Sequence, residues 1–154
     1  ILQRGFWLYV WEITPASAAP LYYVGRTGDS SSTHAQSPFN RMGQHLGFKE
    51  ASNALRRRLL AQGVTPEACH FKLVALGPLD DESTEDARAE HDERRDRIAA
   101  MEKALADLML EAGYNVINRV HCKKTLDLQA FVCVRLAFAG AFSKLRAGGR
   151  HELL

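Results

Sequence analysis

Residues 6–13, Phe6-Trp7-Leu8-Tyr9-Val10-Trp11-Glu12-Ile13, are almost all aromatic or aliphatic, and Thr14-Pro15 closes the run. Such side chains suit a pleated, buried surface, so the run predicts a strand. A small, proline-bounded segment at 15–20 separates it from Leu21-Tyr22-Tyr23-Val24-Gly25-Arg26-Thr27, a second predicted strand ended by Gly28-Asp29. A parallel return would need a crossover of a dozen or more residues. The two strands therefore form an antiparallel hairpin.

Downstream the pattern changes. Residues 28–38 are polar and serine-rich and predict a loop, and residues 39–46 look helical, with Phe39, Met42 and Leu46 on one side. A second helix is expected from about 49 to 62, with Ala51, Leu55 and Leu59 four apart and Gly63 as its stop. His70-Phe71-Lys72-Leu73-Val74-Ala75-Leu76 alternates polar and apolar side chains, which predicts a half-buried third strand. Ser83 or Thr84 can cap a long helix whose first turn holds Glu85 and Asp86, where the helix dipole favours acids; Gly113 ends it. Its apolar stripe is Ile98, Met101, Leu105 and Leu108, and its charged first half, 88–97, reads as a solvated face. Asn115-Val116-Ile117-Asn118 is a short extended piece. Residues 126–145 predict a strongly apolar final helix, either the back of the core or a dimer seam. This order describes an α+β fold, a small three-stranded antiparallel sheet flanked by helices. A length of 154 residues suits one domain, with a core at about 6–118 and a helical extension at about 125–146.

Composition narrows function little. Charged residues make up 25% and hydrophobic ones 46%, ordinary for a soluble globular protein. A net charge of +2 permits nucleic-acid binding without demanding it. Basic residues gather at Lys49, Arg56, Arg57 and Arg58, and acids between 80 and 93. Cys69, Cys122 and Cys133 are odd in number and lack zinc-ligand spacing, so they read as reduced, mostly buried thiols of an intracellular protein. Residues 1–13 lack the clean apolar run of a signal peptide. The longest apolar stretch, 126–142, is broken by Asp127, Gln129 and Arg135, which argues against a membrane span. A cytoplasmic protein with no membrane partner is expected.

Leu8-Tyr9-Val10 in the first strand and Tyr23-Val24-Gly25 in the second are followed by Arg41-Met42-Gly43-Gln44-His45. Glu102 then stands on the long helix, and Gly113-Tyr114-Asn115 closes it. In this order and on these elements, the five motifs resemble the catalytic domain of the GIY-YIG nucleases, over residues 7–118. Trp7 stands where the family name has glycine, and the loop before Arg41 is rather long. The resemblance implies a metal-dependent endonuclease that hydrolyses DNA phosphodiester bonds with Mg²⁺ or Mn²⁺.

Such hydrolysis needs a deprotonated water, a stabilised pentavalent phosphate and a neutralised leaving oxygen. By resemblance, Glu102 would hold the metal ion, bordering the buried stripe of its helix. Arg41 would clamp the phosphate with its planar fork. His45, one helical turn beyond Arg41, points to the same place and can bind phosphate when protonated or move a proton when neutral. Tyr9 would activate water as general base, with Tyr23 beside it on the adjacent strand. A free tyrosine ionises near about pH 10, so this role requires a neighbouring cation, Arg26 or His45. Tyr22 should face the other side of the sheet. Asn115, in preference to Asn118, would tie the end of the long helix to the site by side-chain hydrogen bonds. Gly25 leaves room for close backbone approach, and Arg26 and Lys49 complete the substrate-binding set with Arg41. Taken singly, the same residues read as core aromatics, a structural histidine, a surface arginine and a solvated glutamate. Two other functions suit the same scaffold: a nucleic-acid-binding module that does not cleave, and a small protein that pairs through its last helix, as a homodimer would.

Overall fold

Strand β1 (Phe6–Pro15) pairs antiparallel with β2 (Leu21–Arg26) on one side and β3 (Cys69–Asp80) on the other, so the sheet order is β2-β1-β3. The computed structural model describes residues 1–28, 35–47, 53–81 and 88–150. Among them, four α-helices accompany the sheet: α1 (Pro38–Leu46), α2 (Ala54–Ala61), α3 (Arg88–Glu111) and α4 (Leu128–Ala141). The architecture is α+β, as the element order predicts.

The central strand is apolar at both parities because both faces are covered. Phe6, Leu8 and Val10 pack with Ile98, Met101, Leu105 and Met109 of α3 and with Val134 and Phe138 of α4. Tyr9, Trp11 and Ile13 pack on the opposite face with Leu55 and Leu59 of α2. Each large side chain so buried contributes roughly 1.5–3 kcal/mol of transfer free energy, and β1 supplies one to each layer in alternation. The same period of two separates the neighbouring tyrosines of β2. Tyr22 packs with the rings of Tyr114 and Phe142, at centroid distances of 4.9 and 5.8 Å, on the α3 and α4 side. Tyr23 packs on the α2 side. Burial first, then the nearby Glu12 and Tyr114, push the Tyr22 phenol above its ordinary range, which suits the structural role expected of it.

Helix α3 stops at Gly113, whose φ of +77° is readily adopted by glycine. The Tyr114 N–H then donates to Met109 O and the Gly113 N–H to Leu110 O, a Schellman closure.

Several expectations need correction. Strand β3 runs well past Leu76, because pairing with β1 continues to Phe6↔Asp80 across a register shift. Helix α2 begins at Ala54, capped by Asn53, whose Oδ1 accepts from Arg56 N–H at 2.9 Å. Residues 48–52, Lys49 included, and the Ser83/Thr84 cap lie outside the described residues. On α1, Phe39 is exposed, while Pro38 and His45 are buried. The charged start of α3 is not simply solvated: His91 is buried and its ring lies 5.3 Å from that of Phe6, Arg97 pairs with Asp80, and Lys124 pairs with Asp96 at 2.6 Å. Met109 joins the α3 stripe fully buried, and Leu108 packs against the same core half-buried. The cysteines are free, but Cys69 and Cys122 are half-buried and Cys133 exposed. No helix among the described residues is long and apolar enough to cross a membrane.

Candidate active site

Strand β2 lies at the edge of the sheet, and an edge presents unpaired N–H and C=O groups. The segment after α3 satisfies them. Tyr22 N–H donates to Asn115 O at 2.9 Å, and Ile117 N–H donates to Tyr22 O at 2.8 Å. Two residues along β2, a side chain takes over from the backbone: Val24 N–H donates to Asn118 Oδ1 at 3.0 Å, and Asn118 Nδ2 donates to Val24 O at 2.7 Å. Both residues are buried. The amide thus imitates the next peptide of a ladder. The side-chain tether assigned to Asn115 therefore belongs to Asn118. Asn115 engages Tyr22 through its carbonyl and is otherwise exposed, and the chain comes level with Val24 only three residues later.

Thr27 fixes the far end of β2. Its Oγ1 accepts from Trp7 N–H at 2.9 Å and donates to Gly5 O at 2.6 Å, with the residue fully buried. A threonine after a strand carries no sequence signal for this bridge.

Held at both ends, β2 presents Tyr23, Gly25 and Arg26 to a small pocket of about 110 Å³, which Tyr9, Arg41 and Glu102 also line. Four separate stretches of chain meet here. Tyr9 comes from β1 and sits opposite Gly25 in the register. A Cβ at position 25 would lie 2.6 Å from the Tyr9 ring, so the space expected beside Gly25 is filled by that ring. Arg41 and His45 come from α1, which Ser37 caps by accepting from Asn40 N–H. Arg41 lines the pocket, with its Nη1 donating to Gln44 Oε1 at 3.0 Å. His45 lies behind the pocket: its Nε2 is 2.7 Å from the Tyr9 hydroxyl in a buried hydrogen bond, and its ring meets Tyr23 edge-on at 5.3 Å. Of the two groups expected beside Tyr9, Arg26 and His45, it is His45 that hydrogen-bonds its hydroxyl.

Arg26 is engaged elsewhere. Its Nε donates to Glu102 Oε2 at 2.9 Å, the two side chains only 16% and 15% exposed, which pins the edge strand to α3. Its Nη1 is buried without a hydrogen-bond partner. An unsatisfied guanidinium N–H out of water costs about 1–3 kcal/mol or more, so this end of Arg26 is an under-satisfied group beside the pocket. Asn115 does not line the pocket.

Glu102 is the pocket's one carboxylate, and no group of three or more His, Cys, Asp or Glu residues that could hold a metal is found among the described residues. Magnesium commonly takes one or two carboxylates, with waters and substrate phosphates filling the remaining positions. The all-oxygen donors here, one carboxylate and two phenols, fit such a hard ion in company with a phosphate and do not fit a soft one. A larger apolar pocket of about 310 Å³, between β3, α3 and α4, offers no comparable set of groups.

Comparison of the chain with protein-family models, with curated proteins and with solved structures gives no match.

Proposed function

We propose that this chain is a divalent-metal-dependent endonuclease that hydrolyses DNA phosphodiester bonds through a GIY-YIG-type active site. One observation carries the reading: residues far apart in sequence, Tyr9, Tyr23, Arg26, Arg41 and Glu102, line one small polar pocket, with His45 bonded to Tyr9 behind it. Two guanidinium groups beside a single carboxylate suit a phosphate diester, which carries one negative charge and accepts planar, forked donors.

The chemistry follows from the hydrogen bonds. With the imidazole neutral and Nε2 as acceptor, His45 can take the Tyr9 phenolic proton, and the phenolate oxygen then removes a proton from water. The hydroxide attacks phosphorus, the P–O bond to the leaving group breaks, and solvent protonates the departing oxygen. Arg26 and Arg41 neutralise charge gathering on the phosphate oxygens. Glu102 would hold the Mg²⁺ or Mn²⁺ ion, whose contribution when bound is charge neutralisation at the phosphate and the leaving oxygen. The reading carries with it a cytoplasmic protein acting on DNA. A second copy is a further partner, since Leu128, Val132 and Leu136 form an exposed apolar stripe four residues apart on α4.

One observation favours a second reading, a nucleic-acid-binding module that does not cleave. Glu102 Oε2 is already engaged by Arg26, and in such a module the pair would serve only as a pin. Incubation with supercoiled plasmid and Mg²⁺ or Mn²⁺, beside Glu102→Ala, Tyr9→Phe and an EDTA control, separates the two. Nicking that vanishes in both variants and in EDTA is expected. Binding without nicking by the wild type over several DNA forms would favour the module, and nicking that survives Glu102→Ala would remove Glu102 from the site.

A further inference from the structure

Helix α2 lies on the sheet face that carries Tyr9 and Tyr23. Its buried side is Leu55 and Leu59, which leaves Arg57 and Arg58 exposed on a shallow surface shared with Ala54 and Ala61. Arg58 Nη1 donates to Ile117 O at 3.3 Å. Ile117 is itself hydrogen-bonded to Tyr22 of β2, next to Tyr23 of the pocket. Arg119 follows two residues later, within about 7 Å along the chain, and is exposed.

Five other arginines on this fold face a carboxylate: Arg26 has Glu102, Arg56 has Glu67, Arg94 has Glu90, Arg95 has Asp92 and Arg97 has Asp80. Arg57, Arg58 and Arg119 form no salt bridge among the described residues. Arg57 and Arg58 are adjacent in sequence, and like charges held together without counter-charge repel one another, a repulsion that a polyanion relieves. On the exposed side of this short helix, Ala54 and Ala61 at its two ends leave little bulk around the guanidinium groups.

We infer that Arg57, Arg58 and Arg119 form a phosphate track that holds the nucleic-acid backbone alongside β2, outside the cleavage pocket. The inference rests on the nuclease reading for its partner, and it adds the surface that binds duplex flanking the cut. Contacts of this kind position the backbone without reading sequence. They also release counterions, so the logarithm of affinity falls with the logarithm of salt by about 0.9 for each phosphate neutralised.

The test is the salt dependence of binding to a short duplex of arbitrary sequence, measured in EDTA so that nothing is cut. Arg57→Ala combined with Arg119→Ala should make the slope shallower by about 1.8, two phosphate contacts' worth. Arg88→Ala, at the start of α3, should leave it unchanged. Both altered positions are exposed, and a thermal melt equal to wild type shows the fold intact; Arg57→Lys with Arg119→Lys should restore most of the slope. A double alanine variant with the wild-type slope overturns the track, as does an equal loss in Arg88→Ala. Plasmid nicking with Mg²⁺ separates the two ideas. Nicking by a chain whose slope is indifferent to Arg57 and Arg119 refutes the track and keeps the nuclease. A slope that responds to them in a chain that never nicks keeps the track and discards the nuclease.

Discussion

Replacing Gly25 by alanine tests the geometry on which the site depends. The added Cβ would fall 2.6 Å from the ring and hydroxyl of Tyr9, well inside van der Waals contact. A tyrosine at the surface would swing away cheaply. Tyr9 is only 2% exposed, lies among Trp11, Leu55 and Leu59, and is hydrogen-bonded to a His45 that is itself 6% exposed. Overpacking of this kind costs about 1–3 kcal/mol, and pulling a buried hydroxyl from its partner costs about 1–3 kcal/mol more. The sum is roughly 2–6 kcal/mol, and a domain of this size loses about 2–4 °C of Tm per kcal/mol. A fall of about 4–24 °C is therefore expected. Gly43, on the exposed side of α1, has nothing within 4 Å of its Cβ position, so Gly43→Ala should raise stability by about 0.5–1 kcal/mol. Calorimetry or thermal circular dichroism reads both. The two alanines should shift Tm in opposite directions. A Gly25→Ala chain melting within a degree of wild type would refute the packing of Tyr9 across Gly25, and the Tyr9–His45 relay with it. Nicking activity should fall with the displacement of Tyr9, by about 100-fold for a shift of one ångström.

Asn118→Ala should cost about 2–4 kcal/mol, because it strips both partners from the buried Val24 peptide groups, whereas Asn115→Ala should stay within about 0.5 kcal/mol; urea denaturation of the two ranks them, and equal effects would contradict the edge tether. The hydrogen bond from Lys124 holds the Asp96 carboxyl below its ordinary range, with Arg95 assisting. The unfolded chain then binds that proton more readily, so the pair's contribution is present above about pH 4 and is lost as the pH falls through the lower folded value. Lys124 is more than half exposed, so screening limits the effect to below about 1 kcal/mol; a Lys124→Met chain should show a flatter fall in urea midpoint between pH 5 and 2, and an unchanged one would count against the pair. If α4 pairs with a second copy, sedimentation should show concentration-dependent association that Leu136→Lys abolishes, and a monomer at all concentrations would leave the Leu128, Val132 and Leu136 stripe unpaired.

Strand and helix identity was readable from the chain because both depend on local spacing. The aromatic run of β1, the step of three and four along Ile98, Met101 and Leu105, and the glycine after α3 each act over a few residues, and each stands where the pattern predicts. Element ends were less readable. Strand β3 extends to Asp80 because β1 offers a partner there, and nothing between 77 and 80 announces one.

Within the site, the chain by itself named the side chains capable of phosphate chemistry and set Arg41 and His45 one helical turn apart. Their pairing was decided by tertiary structure. Arg26 and Glu102 are 76 residues apart, Tyr9 and His45 are 36 apart, and the sequence holds no measure of which acid a given cation will meet. The choice between two nearby asparagines depended on where the segment 115–118 comes level with an edge strand it does not adjoin in sequence. Local patterns fix which elements form. Hydrogen-bond satisfaction across the closed sheet edge fixes which side chain is buried, because only there do two distant stretches have to meet each other's donors and acceptors.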